Sequence, residues 1–220
     1  MKKGLLSVVS AAAMLLGSCG LQPSVEGDDL INNAREEYRS LNSAKVIMTN
    51  ADTNEAEQTF IFKYDEKDIL TFSYEGKNGA DVYAQYNNGM ESFTYEKGKY
   101  QYHQKGDDEF IAYTRDVTHP QAGEGLIIFQ PSAVKNAEVK TEGEVTHIFH
   151  EYDIEKLSVD DSTTTFSADY YFDNQDKLLY FVESSTIITD GEEKEYKYRV
   201  DITEKNAVDK IENTVEQYKK

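Results

Sequence analysis

Tyr196-Lys197-Tyr198-Arg199-Val200-Asp201-Ile202-Thr203 puts an apolar side chain at every second position and a polar one between. A period of two belongs to a strand with one face buried and the other wet. The same alternation recurs upstream. Phe60, Phe62 and Tyr64 alternate with Thr59, Ile61 and Lys63, and Phe93 and Tyr95 with Ser92, Thr94 and Glu96. Tyr100 and Tyr102 alternate with Gln101 and His103, and Phe166, Ala168, Tyr170 and Phe172 with Thr165, Ser167, Asp169 and Tyr171. Gly76, Gly79, Gly89, Gly98 and Gly106 punctuate these runs, and Asn87-Asn88-Gly89 and Asp190-Gly191 supply residues that tolerate positive φ. Short strands joined by tight turns predict an antiparallel meander.

Two amphipathic segments flank the strands. Asp28 and Asp29 offer capping oxygens ahead of Leu30, Ile31, Ala34, Tyr38 and Leu41, whose spacing of three and four predicts a helix ending near Asn42-Ser43. Val208, Ile211, Val215 and Tyr218 predict a second helix over about 207–218. Between Thr118 and Ala137 alternation stops. That stretch reads as a loop carrying an apolar plug, Leu126 to Phe129, with a helical turn after Pro131. A further turn of helix is expected at Asp153 to Ser158. The fold class expected is therefore mainly β with α (α+β). It is a curved antiparallel sheet or incomplete β-barrel of about ten to twelve strands, with an N-terminal helix, a mid-chain apolar loop and a C-terminal helix.

Charge narrows the partners. The 220 residues hold 23 Lys and Arg against 41 Asp and Glu, a formal charge of −18, which repels phosphate backbones and excludes nucleic acid as a natural partner. Anionic head groups repel it too, so no basic patch holds it to a membrane. One cysteine excludes disulfide scaffolds and CxxC sites. With 39% hydrophobic residues and no Pro/Gly/Ser linker in the interior, one domain over 29–220 is expected.

That single cysteine has a particular setting. Lys2 and Lys3 precede an apolar stretch from Leu5 to Leu16, too short to span a bilayer and proportioned like a signal peptide. Leu16-Gly17-Ser18-Cys19 follows, and it resembles the lipobox of bacterial lipoproteins. The resemblance implies that residues 1–18 are removed and that Cys19 carries diacylglycerol. Residues 19–28 then form a tether, and the domain stands on the extracytoplasmic side of a bacterial membrane. A conventional secretion signal with an incidental cysteine is the alternative.

Lipidated start, leading helix, antiparallel strands and apolar insertion together resemble the lipoprotein-localisation carrier and receptor superfamily and related lipoproteins of Gram-positive bacteria. The resemblance implies an incomplete barrel curled around helices and an apolar cavity, with acyl chains or lipoproteins bound in its concave face, or a sensor role. This chain differs in having no tryptophan and in its acidity. If the helices and the plug leave the concavity unfilled, Phe62, Phe72, Tyr95 and Tyr170 are the expected ligand lining. If they fill it, those aromatics are core.

No pattern for chemistry appears. His147 and His150, three apart on a strand, point to opposite faces and cannot share a metal. No G-x-S-x-G elbow, P-loop or dinucleotide fingerprint is present. Acidic clusters at Asp107-Asp108-Glu109, Asp160-Asp161, Asp173 to Asp176 and Glu192-Glu193 fall at predicted turns without a calcium-loop spacing. No catalytic residue, metal or cofactor is expected. The reading is a non-enzymatic module for an apolar ligand (a lipid, an acyl chain or a partner's segment), anchored through diacylglycerol. The alternative is a structural or regulatory envelope lipoprotein acting through its outer surface on an envelope protein. A hydrolase using paired carboxylates is a distant third.

Overall fold

A computed structural model describes residues 25–78, 81–157, 159, 161–189 and 191–219. Cys19 and the lipobox, the tether as far as Ser24, Gly79, Ser158, Asp160 and Asp190 lie outside them. The described residues form one α-helix, α1 (Asp28–Ser40), then β1 (Ser43–Asn50), β2 (Ala56–Tyr64), β3 (Leu70–Asn78), β4 (Asp81–Asn87), β5 (Glu91–Glu96) and β6 (Lys99–Gln104). After the mid-chain segment come β7 (Val134–Glu142), β8 (Val145–Tyr152), β9 (Thr163–Phe172), β10 (Leu178–Thr189) and β11 (Glu192–Thr203). Eleven strands make one antiparallel sheet in the order β6-β5-β4-β3-β2-β1-β11-β10-β9-β8-β7, with β6 and β7 at its two ends, so it does not close into a barrel. The mainly-β, α+β expectation holds, with a strand number inside the range expected.

One domain was the expectation from composition. Within it the chain groups into two compact units: residues up to Arg39 with Asn50–Thr53 and Glu124–Val200, and Ser40–Thr49 with Asn54–Gly123 and Asp201–Lys220. No helix among the described residues is long and apolar enough to cross a membrane.

In the first unit, α1 starts where the caps predict, two residues ahead of Leu30. Asp28 Oδ2 accepts from the Val25 N–H at 3.0 Å. Gly27, at φ +86°, lies so near the Ile148 side chain that a Cβ there would stand 2.6 Å from Cγ2. Only glycine meets both demands. Ile31, Ala34 and Tyr38 bury the expected stripe, joined by Arg35, whose guanidinium lies 5.9 Å from the Phe129 ring centre. Of the apolar plug, Leu126, Ile127 and Ile128 are buried, and Phe129 is half-buried. The turn after Pro131 is present as a 3₁₀ turn, Pro131–Ala133. β7 begins at Val134, inside the stretch read as loop. It is an edge strand of mostly exposed polar residues, so it carries no alternation for the eye to catch. The expected turn after Asp153 is a 3₁₀ turn, Ile154–Lys156, capped by the Asp153 side chain.

The second unit corrects the C-terminal helix. Residues 207–213 form no helix, and only Thr214–Tyr218 makes a 3₁₀ turn. Val208, Ile211 and Val215 are buried all the same. Ser43 Oγ accepts from the Val208 N–H at 3.3 Å, Lys63 Nζ donates to the Asp209 carbonyl at 2.9 Å, and Asn213 caps Val215. A short segment holding Asn206, Asp209, Asn213 and Thr214 is a marginal helix in water. Here β1 and β2 hold its backbone in a non-helical path through Ser43 and Lys63 instead.

Candidate binding face

The face of β8–β11 covered by α1 and the plug is built in rows. Ile148, Tyr170, Phe181 and Val200 stand side by side across the four strands, each at most 1% exposed. Over this row lie Gly27 and the plug, whose Ile128 carbonyl accepts the Tyr170 hydroxyl at 3.0 Å. With its proton committed there, Tyr170 accepts in turn from the Tyr152 hydroxyl at 3.3 Å. Burial pushes both phenols far above their ordinary titration range. They are neutral at any physiological pH.

The next row runs His150, Ala168, Glu183, Tyr198. His150 is buried, and its Nε2 donates to the Glu26 carbonyl at 2.9 Å. Asp28 adds a carboxyl that burial raises, whose Oδ1 has no partner among the described residues. Ala168, the partner of Glu183 on β9, is fully buried. Glu183 is half-buried, and no group among the described residues pairs with it. Desolvation pushes its carboxyl up to about 8. At neutral pH the group is therefore a carboxylic acid that can donate a hydrogen bond.

Beyond Glu183 the face opens. Phe166 pairs with Ser185 and Ser185 with Tyr196, while Ile187 stands between Thr163 and Lys194. Ser185, Ile187, Tyr196 and Tyr198 are half-buried, and the two tyrosine rings lie nearly parallel, 6.3 Å apart. Thr163 Oγ1 is buried without a partner among the described residues. The face thus passes from a sealed apolar row, through one un-ionised carboxyl, to a half-open stretch of phenols and aliphatics.

The opposite face has another character. His147 Nε2 meets Asp169 Oδ1 at 2.7 Å, and the His147 ring stacks on Tyr171 at 4.7 Å. Tyr171 stacks on Tyr180 at 4.5 Å, and the Arg199 guanidinium covers Tyr180 at 3.8 Å. These rings spend their faces on each other. His147 and His150 lie on opposite faces, as the period of two requires. No cluster of three metal-ligating side chains occurs among the described residues.

Of the four residues expected to line a ligand site, Phe62 and Phe72 are brought together. They are direct partners across β2 and β3 and fully buried. The Phe72 ring is packed by Tyr113 at 5.3 Å and His119 at 4.7 Å. Tyr95 lies elsewhere in the same unit, its ring stacked on Tyr218 at 4.4 Å. Tyr170 belongs to the other unit, at 1% exposure. Phe62, Phe72 and Tyr170 are core, and Tyr95 is covered by the chain's own C-terminal segment. Glu183, Ser185, Tyr196 and Tyr198 escaped as a group. The signal was present in β10, where Phe181, Glu183, Ser185 and Ile187 share one phase. An acid in the inward phase of a strand is the anomaly that marks the place.

No family model matches the chain, and no curated protein does. Among solved structures, LprF from Mycobacterium bovis is similar at 11% identity and a TM-score of 0.49, over 87% of this chain and 98% of that one.

Proposed function

We propose that this chain is a membrane-anchored, non-catalytic module that holds an apolar ligand, such as an acyl chain, against the inner face of β10 and β11. The observation that carries the reading is the half-open stretch from Glu183 through Ser185 and Ile187 to Tyr196 and Tyr198, continuous with the sealed row at Phe181. Apolar surface half withdrawn from water gains about 25 cal/mol for each further Å² covered. The tyrosines suit a rim where one side is wet. The lipobox at Leu16 to Cys19 supports the address: two acyl chains on Cys19 make a stable anchor where one would not. The full chain, extracted from membranes in mild detergent and analysed by native mass spectrometry, is expected to carry a lipid beyond the one covalently attached. Absence of any such lipid, together with failure to take up a radiolabelled long-chain probe, would overturn the reading.

Action through the outer surface is favoured by one observation in the second unit. Met90 is 58% exposed and Ile111 53%. Their backbones are pinned by Lys105 and Asn87, which donate to the two carbonyls at 2.8 and 2.9 Å. Apolar tips fixed outward suit a protein partner. Crosslinking from a photoreactive residue at 111 in intact membranes tests it, and adducts with no single protein would count against it.

A further inference from the structure

The half-open face contains a carboxyl with no assigned task. The two phenols behind it have committed their protons, Tyr152 to Tyr170 and Tyr170 to the Ile128 carbonyl. Glu183 projects from the same face between Ala168 and Tyr198 with no partner among the described residues. We propose that Glu183 is the head-group contact of this site and that it donates to an uncharged acceptor, the carbonyl of an acyl ester or amide, while rejecting carboxylate and phosphate heads. The inference rests on the ligand-binding reading above and names its chemical class.

Three features argue for it. An acyl chain laid over Ile187, Tyr196 and Tyr198 ends its apolar length where the polar group stands, one row short of the sealed floor. The carboxyl is held un-ionised by desolvation, so it meets an ester oxygen as a donor. An anionic head finds no counter-charge. Lys194 is exposed at the far rim, and Arg35 is committed over Phe129. The groups around Glu183 that could carry charge are His150 and Asp28 towards α1, Tyr152 and Tyr170 on β8 and β9, and Tyr198 on β11. An uncompensated carboxylate or phosphate buried there forfeits its hydration.

Equilibrium binding of monoolein and oleate to the purified full chain tests this, since the two share one acyl chain and differ in head. At pH 7 monoolein is expected to bind at least about tenfold more tightly than oleate, the equivalent of roughly 1.4 kcal/mol. Raising the pH to 9.5 ionises Glu183 and weakens monoolein by a similar factor. Glu183→Gln, whose amide cannot ionise, loses that pH dependence. Equal affinity for the two probes, or a pH dependence unchanged in Glu183→Gln, overturns the assignment of Glu183 and leaves the ligand site standing. Tighter binding of oleylamine than of monoolein, growing with pH, also overturns it by making the group a receptor for cations. Binding of none of the three overturns the site itself and this inference with it.

Discussion

His119 sits with its ring 4.8 Å from Phe60 and 4.7 Å from Phe72, and desolvation lowers its pKa to about 4. Above pH 6.5 the ring is neutral in folded and unfolded chains alike. Below that the unfolded chain gains a proton that the folded one refuses, so stability falls between pH 6.5 and 4. The loss is about 2 kcal/mol after allowance for the part of the ring still in water. Urea titrations at stepped pH are expected to show this slope in the parent and a shallower one in His119→Gln. Glu183 works in the opposite sense. Its folded pKa of about 8 stands above the ordinary carboxyl value of 4.5, so the folded state holds a proton that the unfolded state releases. Stability from this group is full below pH 4.5 and is lost as pH rises to 8. Glu183→Gln should therefore raise the melting temperature more at pH 8 than at pH 5, and an equal gain at both would contradict the assignment. At Gly89, φ is +78° and an added Cβ would strike the Ile69 side chain. Gly89→Ala is expected to cost more than about 1 kcal/mol by denaturant melting.

At the scale of elements, legibility followed the phase of burial. Strands such as β9, with Phe166, Ala168, Tyr170 and Phe172 all buried, declare themselves because one face is apolar throughout. The start of β7 did not, since an edge strand pairs through its backbone and needs no apolar face. The C-terminal segment misled for the reverse reason. Its apolar spacing is real, but burial of Val208, Ile211 and Val215 is reached by irregular chain and one 3₁₀ turn. Spacing reports which side chains go inside and leaves the backbone path open. Of the candidate site, the tyrosines of β11 were legible as strand and the plug as apolar. Which aromatics remain half-open depends on what packs over them, and that is set by residues far away in sequence. Val215 is fully buried against Ala84 and Phe93. Val215→Ala is expected to cost about 2 kcal/mol, measured by denaturant unfolding. A loss under about 0.5 kcal/mol would mean the segment is not docked.

The whole chain carries a charge of −18, which leaves the proposed attachment to membranes with Cys19 alone. Labelled palmitate should enter the parent and not Cys19→Ala, and the variant should move to the soluble fraction on cell breakage. Retention of label in the variant would remove the proposed anchor. The strand order has a consequence for how such a chain comes to be folded. Every neighbouring pair from β6 to β1 and from β11 to β7 is a hairpin of consecutive strands, while β1 and β11 are neighbours only in the finished sheet. Hairpins close within a short stretch of polypeptide, so most of the ladder assembles quickly as the chain emerges. The free flank of β1 waits for the last strand made. Until then it is an adhesive edge, and a nascent chain halted before residue 192 would be prone to zip onto its neighbours.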